Sequence, residues 1–368
     1  MVDKNFSFDD RHYNSAPLVS VVTPFYNTAE WLPECIESVL NQSLGNFEYI
    51  LLDNLSTDGG DEIAQKYAKS DSRIRYVRNK HFLEQMQNFN AALTLISPET
   101  EYTKIVNADD VIYPTCLEAM VGVAQQYPTV GVVSNEAVRG RKLAEVSRAV
   151  DEWPFESEMI DGRVAAKHQL LHRIRFVTSP TTMLYRSRIV RKRLPFFNQS
   201  RLHADMDTYF DILRVWDLAF ISESLTFLRS RDEGVSAGIS TIDPLCHLLD
   251  EFMLTKKYGR EFLVGDELER CWGVIRQEYL DHLARNFVKN RNREFWQHHE
   301  KGLKAIDYRI SRWTLMRQAG SLGLRILCNP VRLRRLLQDC NRTVIHKTTI
   351  SGEQMNGLAR SEEPSKQG

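Results

Sequence analysis

Short β-branched runs alternate with helix-length amphipathic stretches from residue 18 to residue 134. No other feature of the chain limits its folding options as tightly. Residues 18–23, 47–52, 74–77, 102–106 and 130–134 read as buried strands. Apolar spacing predicts helices over 31–40, 61–69, 83–96 and 115–126. Such alternation implies an α/β fold of βαβ units, with right-handed crossovers and a mixed, mostly parallel sheet flanked by helices. Residues 135–160 are charged and read as an irregular excursion. A helix at 163–172, a strand at 181–185, a helix at 205–216 and two short strands at 218–221 and 225–228 resume the domain. Beyond residue 243 the strand signals stop, and helical patterns fill 243–258, 266–300 and 303–340.

Composition excludes several classes. The chain of 368 residues is 42% hydrophobic and 26% charged, which is ordinary for a globular protein with a sizeable core. Its formal net charge is zero, so nothing global favours a nucleic acid partner. Six cysteines are scattered without a C-x-x-C pair, which argues for a reducing compartment rather than a zinc site or a disulfide scaffold. Residues 1–16 read as a polar leader without the apolar core of a signal peptide. No run approaches the roughly 18 apolar residues of a membrane span. The expected location is therefore cytoplasmic. Pro24 stands where a dinucleotide-binding loop would carry glycines, and no G-x-x-x-x-G-K-[ST] motif occurs.

The early strands share a second property. Each ends in polar or acidic residues: Thr23-Pro24-Phe25-Tyr26-Asn27, then Asp53, then Asn107-Ala108-Asp109-Asp110. In an open α/β sheet the carboxyl ends of the strands form the ligand crevice. Two adjacent carboxylates repel each other, and a divalent cation is the simplest way to keep both ionised. Oxygen ligands suit Mg²⁺ or Mn²⁺, which is commonly shared with substrate phosphates. The plainer alternative is a solvated Asp-Asp turn.

In this order and spacing, the motifs resemble those of a family 2 glycosyltransferase of the GT-A type over about the first 235 residues. They are joined by Leu32 through Gln42, Asp53-Asn54-Leu55-Ser56-Thr57-Asp58, Ala204-Asp205-Met206-Asp207, Leu228-Arg229-Ser230-Arg231 and Gly234-Val235-Ser236. The resemblance implies inverting, metal-dependent transfer of a sugar from a nucleotide-diphosphate sugar, with a UDP sugar the first expectation. The acceptor would be a hydroxyl of a glycan or lipid-linked molecule. Thr23, Pro24 and Tyr26 would line the nucleotide pocket, and Asp53 would accept a hydrogen bond from the base. Asp109 and Asp110 would reach the ribose and the diphosphate bound to Mg²⁺ or Mn²⁺, either of them being the metal ligand, with Asn107 at the first position of the same nucleotide-binding motif. Asn107 replaces a frequent aspartate, which keeps the oxygen but removes a charge. Asp205 would be the catalytic base, with Asp207 the runner-up. Arg231, where relatives often carry histidine, would pair with the diphosphate or remain a surface charge. The competing reading is a non-catalytic sugar-nucleotide-binding or scaffold protein on the same fold.

The expected organisation is a leader (1–16), a glycosyltransferase domain (17–240), a helical region (241–350) and a disordered tail (351–368). Between Arg309 and Lys347 nine Lys or Arg face one acid, Asp339, with leucines interleaved. That is the pattern of a basic amphipathic helix on an anionic membrane surface, or of a helix packed on its own protein. The former would make the protein peripheral on the inner face of a membrane.

Overall fold

The computed structural model describes residues 16–149, 152–172, 176, 178–198, 204–231 and 241–327. The expected leader lies outside these residues except for Ala16, and so do the expected disordered tail and residues 328–347 of the basic segment.

The first half alternates as its sequence predicts: β1 (Val19–Phe25), α1 (Leu32–Leu40), β2 (Phe47–Asp53), α2 (Gly60–Ser70), β3 (Ile74–Arg78), α3 (Gln85–Leu93) and β4 (Tyr102–Ile105). All seven residues of β1 are buried, because helices cover both faces of a parallel strand. Leu32, Cys35, Ile36 and Val39 of α1 are spaced to form one stripe, and all are buried in the core cluster. Next come β5 (Val111–Ile112), α4 (Cys116–Gln126), β6 (Val130–Lys142), β7 (Glu145–Arg148), β8 (Met159–Ile160) and α5 (Gly162–His172). The unit continues with β9 (Met183–Arg186), α6 (Ser187–Lys192), α7 (Ala204–Leu213), β10 (Asp217–Arg229) and α8 (His247–Phe262).

The strands form one mixed sheet in the order β3-β2-β1-β4-β9-β6-β10-β5, with β7 on β6 and β8 on β10. Strands β3, β2, β1 and β4 run parallel, and β9 is antiparallel to both its neighbours, β4 and β6. Register sets the rim. Phe25 pairs with Asp53, and Val22 pairs with Ile105. The residues after Thr23, the end of β2 and the Asn107–Asp110 turn therefore leave the sheet on the same edge.

Two expectations are corrected here. The charged stretch after residue 134 is not irregular at its start: β6 runs on to Lys142 and folds back as a hairpin with β7. Its charges lie on the outer side, where Arg148 Nε reaches Glu136 Oε1 at 3.0 Å, while Ala137 is buried. The two short strands near 218 and 225 are a single strand, β10, interrupted by register shifts between Ile221 and Thr226.

The structure divides into two compact units. One comprises the described residues up to 275 together with 297–307, and holds the sheet. The other comprises 276–296 and the described residues from 308 to 327. The remaining helices are α9 (Asp266–Val288), α10 (Arg293–Ala305) and α11 (Arg312–Leu327). The helix expected over 266–300 breaks because Asn290 adopts a left-handed backbone, φ +50°, which ends a helix. Within the second unit, Arg276 Nε donates to Tyr308 Oη at 3.1 Å, and Gln318 Nε2 donates to Asp281 Oδ1 at 2.6 Å.

Candidate active site

The rim is built around a tight turn. After β4, the Val106 amide still bonds to the Val22 carbonyl, and the Asp110 amide then closes onto the Asn107 carbonyl at 3.0 Å. The turn is held from a second segment, Ser179–Thr181. The Asn107 amide donates to Thr181 Oγ1 at 3.0 Å, and Thr181 Oγ1 donates to Asp110 Oδ2 at 2.6 Å. Asn107 Nδ2 donates to Asp110 Oδ2 and to Ser179 Oγ, both at 3.0 Å. Below them Lys104 is fully buried, and its Nζ donates to the Thr181 carbonyl at 2.5 Å. Burial pushes the Lys104 ammonium below its ordinary pKa.

The two aspartates have different surroundings. Asp110 is 4% exposed, and its Oδ1 accepts the Arg229 amide at 3.0 Å. Burial, followed by the charge of Asp109, pushes its carboxyl up to about 7, against the donors from Thr181, Arg229 and Asn107. Asp109 is more open, and its Oδ2 lies 2.6 Å from Arg231 Nε. The Arg231 guanidinium also sits 4.7 Å over the Trp31 ring. Arg229, at the end of β10, braces the turn by donating from Nε to the Asp109 carbonyl at 2.9 Å, and it pairs with Glu34 of α1.

Asp53 is fully buried. Its Oδ1 accepts the Ser56 amide at 2.8 Å, and its Oδ2 faces Arg78 Nε at 3.2 Å and the Tyr76 hydroxyl at 3.3 Å. Thr23 is also fully buried, with its hydroxyl 2.9 Å from that of Tyr49. Pro24 is buried as well. Of the three residues expected to line the pocket from the first loop, only Tyr26 presents an exposed side chain, edge-on to Phe82 at 5.0 Å.

Asp205 lies in the first turn of α7, and its Oδ1 accepts the Met206 amide at 2.9 Å. Asn107, Ser179 and Asp205 line one cleft of about 390 Å³. That volume falls within the ~300–1,000 Å³ typical of small-molecule sites. Asp207 faces elsewhere: it is 1% exposed, with Lys257 Nζ at 2.8 Å and the Tyr258 hydroxyl at 3.0 Å on its Oδ1. Both partners belong to α8, so Asp207 ties two helices of the same unit together.

The residues present fit a divalent cation. Asp109 supplies a partly accessible carboxylate, and Asn107 Oδ1 is a buried oxygen with no hydrogen-bond partner. Both are hard oxygen ligands of the kind Mg²⁺ and Mn²⁺ prefer. Asp110, with protein donors on both oxygens, is the better placed to hold the turn.

Reasoning from the sequence missed Lys104, Ser179, Thr181 and a bracing role for Arg229. The only local trace of the second segment is the Ser179-Pro180 turn signal before an apolar run.

The mixed, mostly parallel sheet with its flanking helices is of the GT-A type. Residues 20–194, just under half of the chain, match the model of glycosyl transferase family 2. Among curated relatives, glycosyltransferase GlyG of Streptococcus pneumoniae is 34% identical over 120 residues, covering 32% of this chain and 38% of that protein. The putative glycosyltransferase EpsE of Bacillus subtilis is 36% identical over 138 residues, covering 35% and 49%. These matches span less than half the length of either relative. Among solved structures, S. aureus TarS 1–349 in complex with UDP-GlcNAc superposes with a TM-score of 0.55 at 18% identity, covering 78% of this chain and 80% of that one. The mannosyltransferase PcManGT from Pyrobaculum calidifontis, in complex with GDP-Man and Mn²⁺, gives 0.51 at 18% identity, covering 87% and 83%. At these identities the structures speak for the shared fold.

Proposed function

We propose that this chain is an inverting, metal-dependent glycosyltransferase. It moves a sugar from a nucleotide-diphosphate sugar to a hydroxyl of a glycan or lipid-linked acceptor. The observation that carries the reading is the single cleft shared by Asn107 of the strand-end turn and the Asp205 carboxylate. The complexes of two fold neighbours with UDP-GlcNAc and with GDP-Man support the donor class.

Each residue then has a task. Tyr26 and Phe82 offer exposed rings for the nucleobase. For Asp53 to accept a ring N–H, the Arg78 guanidinium must yield one position on Oδ2. Asp109 and Asn107 Oδ1 hold the cation, while Asp110 fixes the turn. When bound, the cation acts as a Lewis acid that stabilises the charge of the departing diphosphate. Arg231, already at Asp109, supplies a guanidinium for the same oxygens. Asp205 accepts the proton of the acceptor hydroxyl as it attacks, a contribution of roughly 10²–10⁴-fold. A single displacement by that hydroxyl inverts the anomeric centre and requires no enzyme nucleophile.

The test uses a panel of nucleotide sugars with the full chain, with and without chelator. Asp205→Asn should lower turnover by about 10²–10⁴-fold while leaving the donor dissociation constant within about twofold. Equal loss of binding and turnover would move the base elsewhere. Failure to turn over any donor, despite tight binding, would favour the non-catalytic scaffold.

A further inference from the structure

The cleft that Asp205 lines is also lined by two more residues whose buried oxygens have no hydrogen-bond partner. Gln169 of α5 is 7% exposed, and its Oε1 has no partner; its Nε2 faces only the Met206 sulfur at 3.9 Å. Turning the amide over would still leave one of its polar atoms without a protein donor or acceptor. Thr178 Oγ1 is likewise buried and without a partner. Both residues line the cleft. A buried polar atom left without a hydrogen bond costs about 1–3 kcal/mol, so two in one cleft point to a ligand that bonds to them.

The start of α8 lines the same cleft as Asp205, with Asp250 and Glu251. Among the described residues, three carboxylates line the space, against Arg139 and His247. Phe89 and Phe197 add apolar surface, meeting edge to face with centroids 6.0 Å apart. Oxygen acceptors, hydroxyl partners and apolar ring faces together suit a pyranose. The predominance of carboxylates disfavours a phosphate or carboxylate on that pyranose.

We infer that Gln169, Thr178 and the Asp250–Glu251 face form an acceptor subsite for an uncharged, hydroxyl-rich sugar and exclude anionic sugars. The inference rests on the glycosyltransferase reading and adds the acceptor class to it. Gln169 and Thr178 take acceptor hydroxyls, which orients one of them toward Asp205. The carboxylates of α8 repel acceptors that carry phosphate.

The experiment measures initial rates of the full chain with its best donor from the nucleotide-sugar panel. The acceptors are p-nitrophenyl glycosides of neutral hexoses, of glucuronic acid and of hexose 6-phosphates. Neutral probes should exceed anionic ones by about tenfold in kcat/KM, and Glu251→Lys should narrow that gap. Gln169→Leu and, separately, Thr178→Val should raise the KM for a neutral probe about threefold to tenfold. Calorimetry with the free nucleoside diphosphate should give the wild-type dissociation constant for both variants, which also reports that each is folded. A shift in that constant in place of acceptor KM would assign these residues to the donor pocket and overturn the inference. So would equal or better use of the anionic probes, or no transfer to any neutral probe while the donor is hydrolysed. Absence of both donor binding and donor hydrolysis in the wild type would overturn the underlying glycosyltransferase reading as well.

Discussion

Thr181 shows how one side chain can govern a charged turn it does not belong to. Its hydroxyl accepts from the Asn107 amide and donates to Asp110, and its carbonyl receives the buried Lys104. Thr181→Val keeps the volume but removes both hydroxyl contacts. It leaves the Asn107 amide without its acceptor and Asp110 with one donor fewer. The expected cost is about 1–3 kcal/mol in stability. Cation and nucleoside diphosphate binding should weaken by about tenfold, because the turn carrying Asp109 loses its brace. Thr181→Ser should restore most of both. Calorimetry on the two variants is decisive: wild-type binding by the valine variant would mean that the turn holds itself. At this scale the sequence was partly legible. Adjacent carboxylates at a strand end announce a charged site, because so few physical situations tolerate them. Their division of labour was not legible, since the groups that bury Asp110 and leave Asp109 more open come from residues 181 and 229.

Among the elements, β6 and β10 form the longest strand pair of the sheet. They run side by side from Asp217 opposite Val130 to Arg229 opposite Gly140. Their approach is close at the start: a Cβ on Gly131 would lie 2.4 Å from the Cβ of Trp216. Gly131→Ala should therefore push Trp216 away or bend β6, at a cost of about 1–3 kcal/mol. For a domain of this size, that is a fall in Tm of roughly 2–4 °C for each kcal/mol. Differential scanning calorimetry tests it, and an unchanged Tm would mean that Trp216 moves without cost. Strand existence was readable from β-branched runs, but the extent of β6 was not. Beyond Ser134 its composition is polar, and only pairing with β10 and β7 makes it a strand. The bulged continuity of β10 was hidden for the same reason.

Taken whole, the chain couples a sheet unit to a helical unit that ends, among the described residues, in α11. Trp313, Met316 and Leu324 recur at near-helical spacing on that helix and are 71%, 53% and 64% exposed. Arg312 and Arg317 are exposed beside them. No described helix is long and apolar enough to cross a membrane. An exposed apolar stripe flanked by cations suits the surface of an anionic bilayer, and we propose that the 309–347 region makes that contact. The full chain should co-sediment with phosphatidylglycerol vesicles, less so in high salt. The double variant Trp313→Ser with Met316→Ser should bind several-fold more weakly. Sedimentation equal to wild type, or insensitive to salt, would remove the stripe from the reading. Between residues 18 and 134, hydrophobic period, turn residues and the acidic strand end sufficed to foretell the alternation of elements, the rim and the family, because each is a short-range property of neighbouring side chains. Which strand lies beside which, which aspartate is buried, and which distant glutamine and threonine line a cleft with Asp205 depend on contacts between residues far apart in the chain, and folding alone brought those together.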